Sequence, residues 1–371
     1  MRYYIIAGER SGDLHGSNLV KSIKAKDTQA EFRGFGGEYM RSAGVDLFVN
    51  YSDMAFMGFA QILLNLTKIA RYIKMCKADV LQYKPDVIIL IDYGGFNRRI
   101  AKFGKKHGIK IFYYIPPKVW AWYQRRAYEL KANVDRMFVI LPFEKEFFKK
   151  FDYDVDYVGN PVLDAVKAHV PHGNFRSKNE IKDERPVVAL LPGSRKHEVT
   201  SIAPLMAEVA KRFPSCDFLV ATVNNLDQSL YGELKGLSNV KFVYEDTYNL
   251  LLNASAAIVT SGTATLETGL FKVPQIVVYK TNPISYWPAK FLIKVPFISL
   301  INLIAGKEVV REMIQSKATP DNVSAELDQI LKNDAYRNKM IDEYKKIIQI
   351  LDTGSASENA ARLMVGYLSG K

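Results

Sequence analysis

The chain has 371 residues, of which 48% are hydrophobic and 24% charged, and this composition excludes a disordered chain. One hydrophobic core rarely grows to include so many residues, so we expect two domains. The two cysteines, Cys76 and Cys216, are far apart and have no histidines at metal-binding spacing, which argues against a disulfide framework and a zinc site.

The net charge of +12 predicts an anionic partner. Lysines and arginines are scattered through both halves, in short clusters such as Arg98-Arg99 and Arg125-Arg126. No recognition helix or aromatic RNA-binding motif accompanies them, so the pattern disfavours nucleic acid and favours a phosphorylated substrate or an anionic membrane surface. The first strand begins near Tyr3, which leaves no room for a secretory signal, and no apolar run is long enough to span a bilayer. We expect a cytoplasmic protein.

The first half of the chain alternates predicted strands and helices. Strand 3–7 is followed by helix 14–24, helix 61–83, strand 87–92, helix 97–107, strands 109–115 and 136–141, helix 143–150 and strand 155–158. The strands are continuously apolar, which is typical of a parallel sheet that helices cover on both faces.

A polar stretch at 167–185 predicts a linker, after which the pattern restarts. Strand 187–191 is followed by helix 198–213, strands 217–223, 240–244 and 256–260, helix 263–270, strand 275–279 and, at the end, helix 353–368. We therefore predict an α/β protein with two Rossmann-like doubly wound domains that face a central cleft. They cover 1–166 and 186–350, and residues 351–371 cross back to the first domain.

Two loops in the second half indicate a nucleotide site. Strand 187–191 ends at a glycine turn that is followed by Arg195, and strand 256–260 leads into a helix that carries Glu267. Ligands of parallel sheets bind at the carboxyl ends of the strands, where helix N-termini and arginine favour phosphate. A carboxylate one turn into a helix can accept hydrogen bonds from sugar hydroxyls. We therefore predict that the loop with Arg195 binds the phosphates of a nucleotide (the phosphate grip) and that Glu267 binds its ribose (the ribose grip).

Competing motifs fit less well. Gly8, Gly12 and Gly16 are spaced four apart, which does not match a dinucleotide fingerprint, and no lysine completes a phosphate-binding P-loop. The acidic run Asp152–Asp156 suggests a metal site, but apolar residues alternate with its carboxylates, which favours a strand with one exposed face.

A set of motifs in one order resembles the lipid-A-disaccharide synthases, which are inverting glycosyltransferases of the GT-B fold. The resemblance runs from about residue 4 to the C-terminal helix, through Ala7-Gly-Glu-Arg-Ser-Gly-Asp13, Met57-Gly58, Lys84-Pro-Asp86, Ile91-Asp92, Val119-Trp-Ala-Trp122, Leu141-Pro-Phe-Glu144, Leu191-Pro-Gly-Ser-Arg195, Ser261-Gly-Thr-Ala-Thr-Leu-Glu267 and Asn302-Leu-Ile-Ala305. Two positions depart from the family pattern: Gly95 stands where the family often has an acid, and Pro116 where it commonly has serine.

The resemblance implies transfer of a sugar from UDP-2,3-diacylglucosamine to the 6-hydroxyl of 2,3-diacylglucosamine 1-phosphate, without cofactor or metal. It implies Asp92 as general base. Arg195 and the backbone of Gly193 and Ser194 would stabilise the leaving phosphate, and Asn302, at the start of a predicted helix 302–315, would assist. Glu267 would hold the ribose; the other substrate-binding candidates are Glu198, Ser261 and Thr263.

Some of these residues have alternative interpretations. Asp92 could instead cap a helix or pair with Arg98 or Arg99. Glu198 could be only a first-turn carboxylate that the helix dipole favours. His15 could be catalytic, although a lone histidine on a first helix is more often structural.

An apolar segment, 54–66, is too short to span a membrane and is followed by a basic helix face. This pattern is typical of a segment that lies at a membrane interface, and the family resemblance implies the inner face of the inner membrane. Alternatively, the segment is an ordinary core element. The candidate membrane or acyl-chain contacts are Phe56, Met57, Phe59, Ile62 and Leu63. A second candidate segment covers 286–297. The sequence leaves a homodimer open.

Three other functions share parts of this pattern. A UDP-sugar epimerase has nearly the same fold, so fold alone does not exclude it. A NAD-dependent oxidoreductase is disfavoured by the missing fingerprint, and a two-lobed sugar-binding protein by the missing secretory signal.

Overall fold

The computed structural model describes residues 1–54, 66–171, 173–181, 184–223, 226–281 and 294–370. These residues form two compact units. Met1–Pro161 and Thr353–Lys371 make up the first unit, and Val162–Asp352 the second. The chain therefore leaves the first unit and returns to it for its last helix.

The described part of the first unit contains a seven-stranded parallel sheet. Its strands are β1 (Arg2–Ala7), β2 (Glu31–Gly36), β3 (Asp46–Asn50), β4 (Val87–Ile91), β5 (Lys110–Tyr114), β6 (Arg136–Val139) and β7 (Asp156–Tyr157). They lie in the order β3-β2-β1-β4-β5-β6-β7. Because the order reverses between β1 and β4, the ligand crevice of such a sheet lies at the carboxyl ends of these two strands.

Helices connect these strands and cover the sheet. They are α1 (Arg10–Lys24), α2 (Glu38–Ser42), α3 (Leu66–Tyr83), α4 (Gly94–Lys106), α5 (Arg126–Asn133) and α6 (Phe143–Lys149); a 3-10 turn covers Tyr51–Met54. Each residue of β4 is buried, which explains why the strand reads as an uninterrupted apolar run.

The second unit repeats this topology. Its strands are β8 (Val187–Leu191), β9 (Asp217–Thr222), β10 (Val240–Tyr244), β11 (Ala256–Thr260), β12 (Gln275–Tyr279) and β13 (Glu312–Ile314). They form a parallel sheet in the order β10-β9-β8-β11-β12-β13, so the switch point lies between β8 and β11. The prediction of two doubly wound α/β domains is confirmed.

The helices that follow the first unit are α7 (Pro161–Ala168), α8 (Phe175–Lys178), α9 (Lys196–Arg212), α10 (Thr247–Leu252), α11 (Thr263–Leu270), α12 (Leu300–Ala305), α13 (Pro320–Lys332) and α14 (Asp334–Leu351). Two 3-10 segments cover Gln228–Gly236 and Gln315–Lys317. The predicted linker at 167–185 is wrong in part, because Phe175 and Ile181 are buried in the core of the second unit.

The predicted helix 302–315 is also wrong. The helix ends at Ala305, because Gly306 adopts a left-handed conformation (φ 67°) and caps it. The chain then continues into β13, which the sequence analysis missed together with β2 and β3. These strands are short or polar, so they lack the apolar run that identified the others.

The last helix, α15 (Ala356–Leu368), belongs to the first unit. Ala360, Ala361 and Met364 are buried in the core that β1 and α1 share. At the end of α15, the Tyr367 hydroxyl donates to the Asp156 carboxylate at 3.0 Å. Among the described residues, no helix has both the length and the apolar content needed to cross a bilayer.

Candidate active site

The first candidate surface lies at the switch point of the first sheet. Ala7 and Ile91 are register partners at the ends of β1 and β4, so Gly8 and Asp92 follow at the same edge. The loop after β1 packs on Tyr93: a Cβ atom at Gly8 would lie 2.3 Å from the Cγ atom of that ring. Glycine is therefore required here, and the fold brings the motif at 7–13 next to Asp92.

The backbone at Asp92 is held in an uncommon conformation. Asp92 and Tyr93 have φ angles of 45° and 47°, in the left-handed region. The Asp92 N–H donates to the Ile115 carbonyl at 3.1 Å. The Asp92 carbonyl accepts from the Asn97 amide at 2.8 Å and from the Tyr113 hydroxyl at 2.7 Å. Such strain persists only where surrounding contacts enforce it, and it is often found at functional sites. The contacts fix the direction from which the Asp92 side chain leaves the sheet.

The Asp92 carboxyl is half-buried, and burial raises its pKa. The Lys118 charge and the Tyr93 N–H lower the same pKa. Arg98 pairs with Glu129 at 2.6 Å, which contradicts the alternative of an Asp92–Arg98 pair. Asp92 is thus a carboxylate with raised basicity at the edge where ligands of such sheets bind.

The loop after β5 carries Lys118 past this edge. Pro117 packs on Gly94, where an added Cβ atom would lie 2.9 Å from the Pro117 Cγ atom. Two residues beyond Lys118, the buried Trp120 indole donates to the Glu144 carboxylate at 3.1 Å. The loop is therefore fixed on both sides of Lys118.

Glu144 anchors this loop from the core. It is 2% exposed and also accepts hydrogen bonds from the N–H groups of Ile140 (3.2 Å) and Leu141 (2.9 Å). Burial raises the pKa of Glu144 to about 7. The motif 141–144 contributes to the family resemblance, but the local sequence predicts no role for Glu144.

Two other polar residues of the first unit are Asp13 and His15, both on α1. The buried Asp13 carboxylate accepts N–H hydrogen bonds from Gly37, Tyr39 and Met40 and so fixes the start of α2. Burial lowers the pKa of His15 to about 4. So weak a base is poorly suited to take a proton at neutral pH, which favours the structural interpretation of His15.

The second candidate surface lies at the switch point of the second sheet. Val259 and Leu191 are register partners at the ends of β11 and β8. The loops 192–195 and 261–262 follow at that edge and lead into α9 and α11. The two loops that are predicted to bind phosphate and ribose therefore lie side by side at one edge of the sheet.

The phosphate-grip loop is closed by Glu198. One of its carboxylate oxygens accepts from the N–H groups of Ser194 (3.0 Å) and Arg195 (3.2 Å), and the other accepts from the Arg195 guanidinium (2.9 Å). Gly193 has φ 113°, and a Cβ atom there would lie 2.5 Å from a Glu198 oxygen. This reciprocal cap makes Glu198 a residue that positions the loop, and its predicted contact with substrate stays a prediction. The Arg195 side chain is 61% exposed.

The ribose-grip residue Glu267 lies one turn into α11 and is half-buried. Its carboxylate accepts a hydrogen bond from the Tyr248 hydroxyl at 2.9 Å. Burial raises the pKa of Glu267, whereas this hydrogen bond lowers it. The sequence analysis missed Tyr248, since no local pattern links residues on α10 and α11.

Asn302 does not face solvent in this structure. It is fully buried; its amide nitrogen donates to Val310 (2.9 Å) and Glu312 (3.0 Å), and its oxygen accepts from Val309 (2.7 Å) and Val310 (3.0 Å). All its polar atoms therefore have internal partners. These contacts shape the loop after α12, and the predicted assistance of Asn302 to the leaving phosphate stays a prediction.

The same polar network reaches Ser261. The Ser261 hydroxyl donates to the Ile298 carbonyl at 3.0 Å, and the Ile298 N–H donates to Glu312 at 3.0 Å. Glu312 also accepts from the backbone and hydroxyl of Ser299 at 2.9 and 2.7 Å. Thr263 is exposed at the first turn of α11. Glu312 is thus the acceptor at the centre of this network. Its role was not predicted, because residues 302–315 were expected to form one helix.

The acidic run at 152–156 alternates in burial as predicted. Tyr153 and Val155 are buried. Asp156, however, is half-buried and bonded to the Tyr367 hydroxyl, so the prediction that it points to solvent is wrong. Within the described ranges, no three His, Cys, Asp or Glu side chains are grouped so that they could hold a metal ion.

The candidate membrane contacts Phe56, Met57, Phe59, Ile62 and Leu63 lie outside the described residues, as does 286–293 of the second segment. The basic face that follows is described. Lys68, Arg71 and Lys74 are exposed on α3, and the Lys77 ammonium lies 5.3 Å from the centre of the Phe103 ring.

Known structures of the same fold differ in function. The chain is similar to UDP-GlcNAc 2-epimerase from Neisseria meningitidis bound to UDP-GlcNAc, with a TM-score of 0.69, 13% identity and 100% coverage of both chains. It is also similar to the calicheamicin glycosyltransferase CalG4, with a TM-score of 0.64, 13% identity and coverage of 100% of this chain and 98% of that one. These similarities show the two-domain GT-B fold and do not separate epimerase from transferase.

Sequence comparison does separate them. The chain is 39% identical to a lipid-A-disaccharide synthase from Syntrophus aciditrophicus over 364 residues, covering 96% of this chain and 95% of that protein. It is 36% identical to one from Trichlorobacter lovleyi over 373 residues, covering 99% and 97%. Residues 3–364 match the family described as Lipid-A-disaccharide synthetase. With the GT-B fold and both switch-point loops in place, the chain belongs to this family of glycosyltransferases.

Proposed function

We propose that this chain transfers 2,3-diacylglucosamine from its UDP conjugate to the 6-hydroxyl of 2,3-diacylglucosamine 1-phosphate. The products are the β-1′,6-linked disaccharide 1-phosphate and UDP. The observation that carries the proposal is full-length family membership, at 36–39% identity to the two relatives named above. The residues at the two switch points supply the groups that this reaction needs.

In the proposed reaction, the bond between the anomeric carbon and the pyrophosphate oxygen breaks while the acceptor oxygen attacks from the opposite face. The anomeric carbon becomes oxocarbenium-like, and negative charge develops on the leaving pyrophosphate. Arg195 is exposed at the N-terminus of the 17-residue helix α9, where a guanidinium and the helix dipole both favour that charge. Glu267 would accept hydrogen bonds from the ribose.

Asp92 would take the proton that the acceptor hydroxyl loses. Its raised pKa improves its basicity, and its fixed backbone limits the positions of the carboxylate. Gly95, which stands where the family often has an acid, leaves Asp92 as the base that this segment offers.

The epimerase alternative rests on fold similarity at 13% identity, whereas the synthase relatives share more than a third of their residues with this chain. An assay of UDP release separates the two. UDP should appear only when both acylated sugars are supplied. Release of UDP from the donor without acceptor, or conversion of UDP-GlcNAc to an epimer, would contradict the proposal.

We further propose that the protein binds the cytoplasmic face of the inner membrane peripherally, since both substrates carry acyl chains. Three exposed cations at helical spacing on α3, Lys68, Arg71 and Lys74, support this proposal. Replacing all three with glutamine should release the protein from anionic liposomes. A matched triple change of Lys332, Lys339 and Lys345 should not.

The apolar segment is tested separately. Serine at Phe56, Phe59 and Ile62 should also release the protein and raise the apparent KM for the acylated acceptor, because each apolar side chain buried in lipid contributes about 1.5–3 kcal/mol. Circular dichroism accompanies the assay. A variant that unfolds would support the interpretation as a core element instead.

A further inference from the structure

We infer that Tyr248 is a positioning residue that orients the Glu267 carboxylate toward the ribose and so makes the donor site selective for ribonucleotides over deoxyribonucleotides. The inference rests on the donor site proposed above. It goes beyond that site in two ways. It names a residue that lies outside the family motifs, and it names the ribose hydroxyls that the site recognises.

The geometry of the pair is specific. The Tyr248 hydroxyl lies 2.9 Å from Oε1 of Glu267, 19 residues away in sequence. Tyrosine donates and an ionised carboxylate can only accept, so the direction of this hydrogen bond is fixed. It occupies one carboxylate oxygen, and the geometry of a carboxylate leaves a second oxygen for the hydroxyls of a ligand.

The tyrosine ring is itself held in place. Its centroid lies 4.9 Å from that of Phe271, which follows directly after α11, and 5.4 Å from that of His169 in a perpendicular arrangement. Because packing on two sides limits the ring, the hydroxyl gives Glu267 a fixed partner. A single hydrogen bond can then select one orientation of the carboxylate.

The effect of Tyr248 on the ionisation of Glu267 also supports a positioning role. Burial raises the pKa of Glu267 and so favours the neutral acid, which is the weaker acceptor. The Tyr248 hydrogen bond favours the ionised form. An ionised, oriented carboxylate accepts strongly from the 2′- and 3′-hydroxyls of ribose. A site built to bind a hydroxyl rejects the analogue that lacks it, because its buried acceptor is then left unpaired.

The test uses the full chain, with UDP and 2′,3′-dideoxy-UDP as calorimetric ligands. Tyr248→Phe removes the hydroxyl and keeps the packing. The Kd for UDP should rise about threefold to tenfold, which corresponds to one hydrogen bond. The Kd for the dideoxy nucleotide should stay within about twofold, so that the preference for ribose shrinks.

Tyr244→Phe is the matched control, because the Tyr244 hydroxyl also takes part in a hydrogen bond, which it accepts from the Gln228 amide at 2.6 Å on an exposed surface. It should leave both Kd values unchanged. Thermal unfolding verifies that each variant is folded. Tyr248→Met, which also lacks the hydroxyl, gives a second route to the same measurement, and it should reduce the preference for ribose in the same way.

The outcomes separate the inference from the proposed site. If Glu267→Gln abolishes the preference for ribose but Tyr248→Phe leaves it intact, Tyr248 has no positioning role and the inference fails alone. If Glu267→Gln leaves the preference for ribose intact, the proposed binding of ribose by Glu267 is contradicted, whatever the result for Tyr248→Phe. Equal weakening of UDP and dideoxy-UDP by Tyr248→Phe would show a general structural effect and would also overturn the inference.

Discussion

The guanidinium of Arg195 lies 2.9 Å from a carboxylate oxygen of Glu198, three residues further along α9. An exposed ion pair of this kind adds little to stability. Its effect is local: Glu198 holds both the guanidinium and the N–H groups of Ser194 and Arg195. A pyrophosphate that binds at this loop therefore competes with an internal carboxylate for the same arginine.

Arg195→Ala should weaken UDP binding and turnover together, because a charged hydrogen bond to phosphate acts in both ground and transition states. We expect a loss of about tenfold to 100-fold in each, the range for hydrogen bonds to charged groups. Calorimetry and steady-state kinetics measure the two effects. Arg212→Ala, at the other end of α9, should change neither. Unchanged UDP binding in Arg195→Ala would refute the proposed phosphate grip.

Asp92→Asn should lower turnover by about 100-fold or more, because asparagine keeps the size of the side chain but loses its basicity. UDP affinity should change little, since Asp92 and the nucleotide loops belong to different sheets. Single-turnover kinetics on both acylated sugars provide the measurement. Asp154→Asn, at an exposed carboxylate, is the matched control. Turnover within a few-fold of wild type would exclude Asp92 as the base.

Lys118→Met should move the acid limb of the pH profile of kcat/KM to higher pH. Burial raises the pKa of Asp92 and the Lys118 charge lowers it, so loss of that charge raises the pKa further. A base with a higher pKa becomes ionised only at higher pH. Lys150→Met, at another exposed lysine of the first unit, should leave the profile in place. A shift to lower pH, or none, would contradict this electrostatic link.

Glu144→Gln should remove a pH dependence of stability. The pKa of Glu144 rises from its ordinary value of 4.5 to about 7 on folding, so its contribution to stability is present below pH 4.5 and is lost as the pH rises through 7. Across that window, wild type should lose on the order of 3 kcal/mol relative to Glu144→Gln. Urea unfolding followed by tryptophan fluorescence measures the difference. If the free energy of unfolding of the two proteins varies with pH in parallel, the prediction is wrong.

Turnover should survive EDTA, because Arg195 and the N-terminus of α9 provide positive charge at the predicted pyrophosphate site. Asp154→Ala should be neutral, whereas Asp156→Ala should lower the free energy of unfolding by about 1 kcal/mol through loss of the Tyr367 hydrogen bond. Activity lost with the chelator and restored by magnesium or manganese would overturn the metal-free mechanism.

The alternation of strands and helices and the position of the candidate functional loops can be read from the amino-acid pattern alone. The predicted bounds of β8, β10, β11 and β12 agree with the structure, because buried parallel strands read as apolar runs that end at turns. The positions of Arg195 and Glu267 follow from the ends of β8 and β11, and that of Asp92 follows from the end of β4. Short or polar strands such as β2 and β13 carry no such pattern and were missed.

The contacts of each side chain, by contrast, depend on how the elements pack. In the fold, Glu198 accepts hydrogen bonds from its own loop, Asn302 is buried, and Glu267 accepts a hydrogen bond from Tyr248. The fold also makes Glu144 the anchor of the loop that carries Lys118. The physical reason is that the periodicity of a chain reports which residues leave water, whereas a hydrogen-bond partner depends on where separate elements meet after they pack.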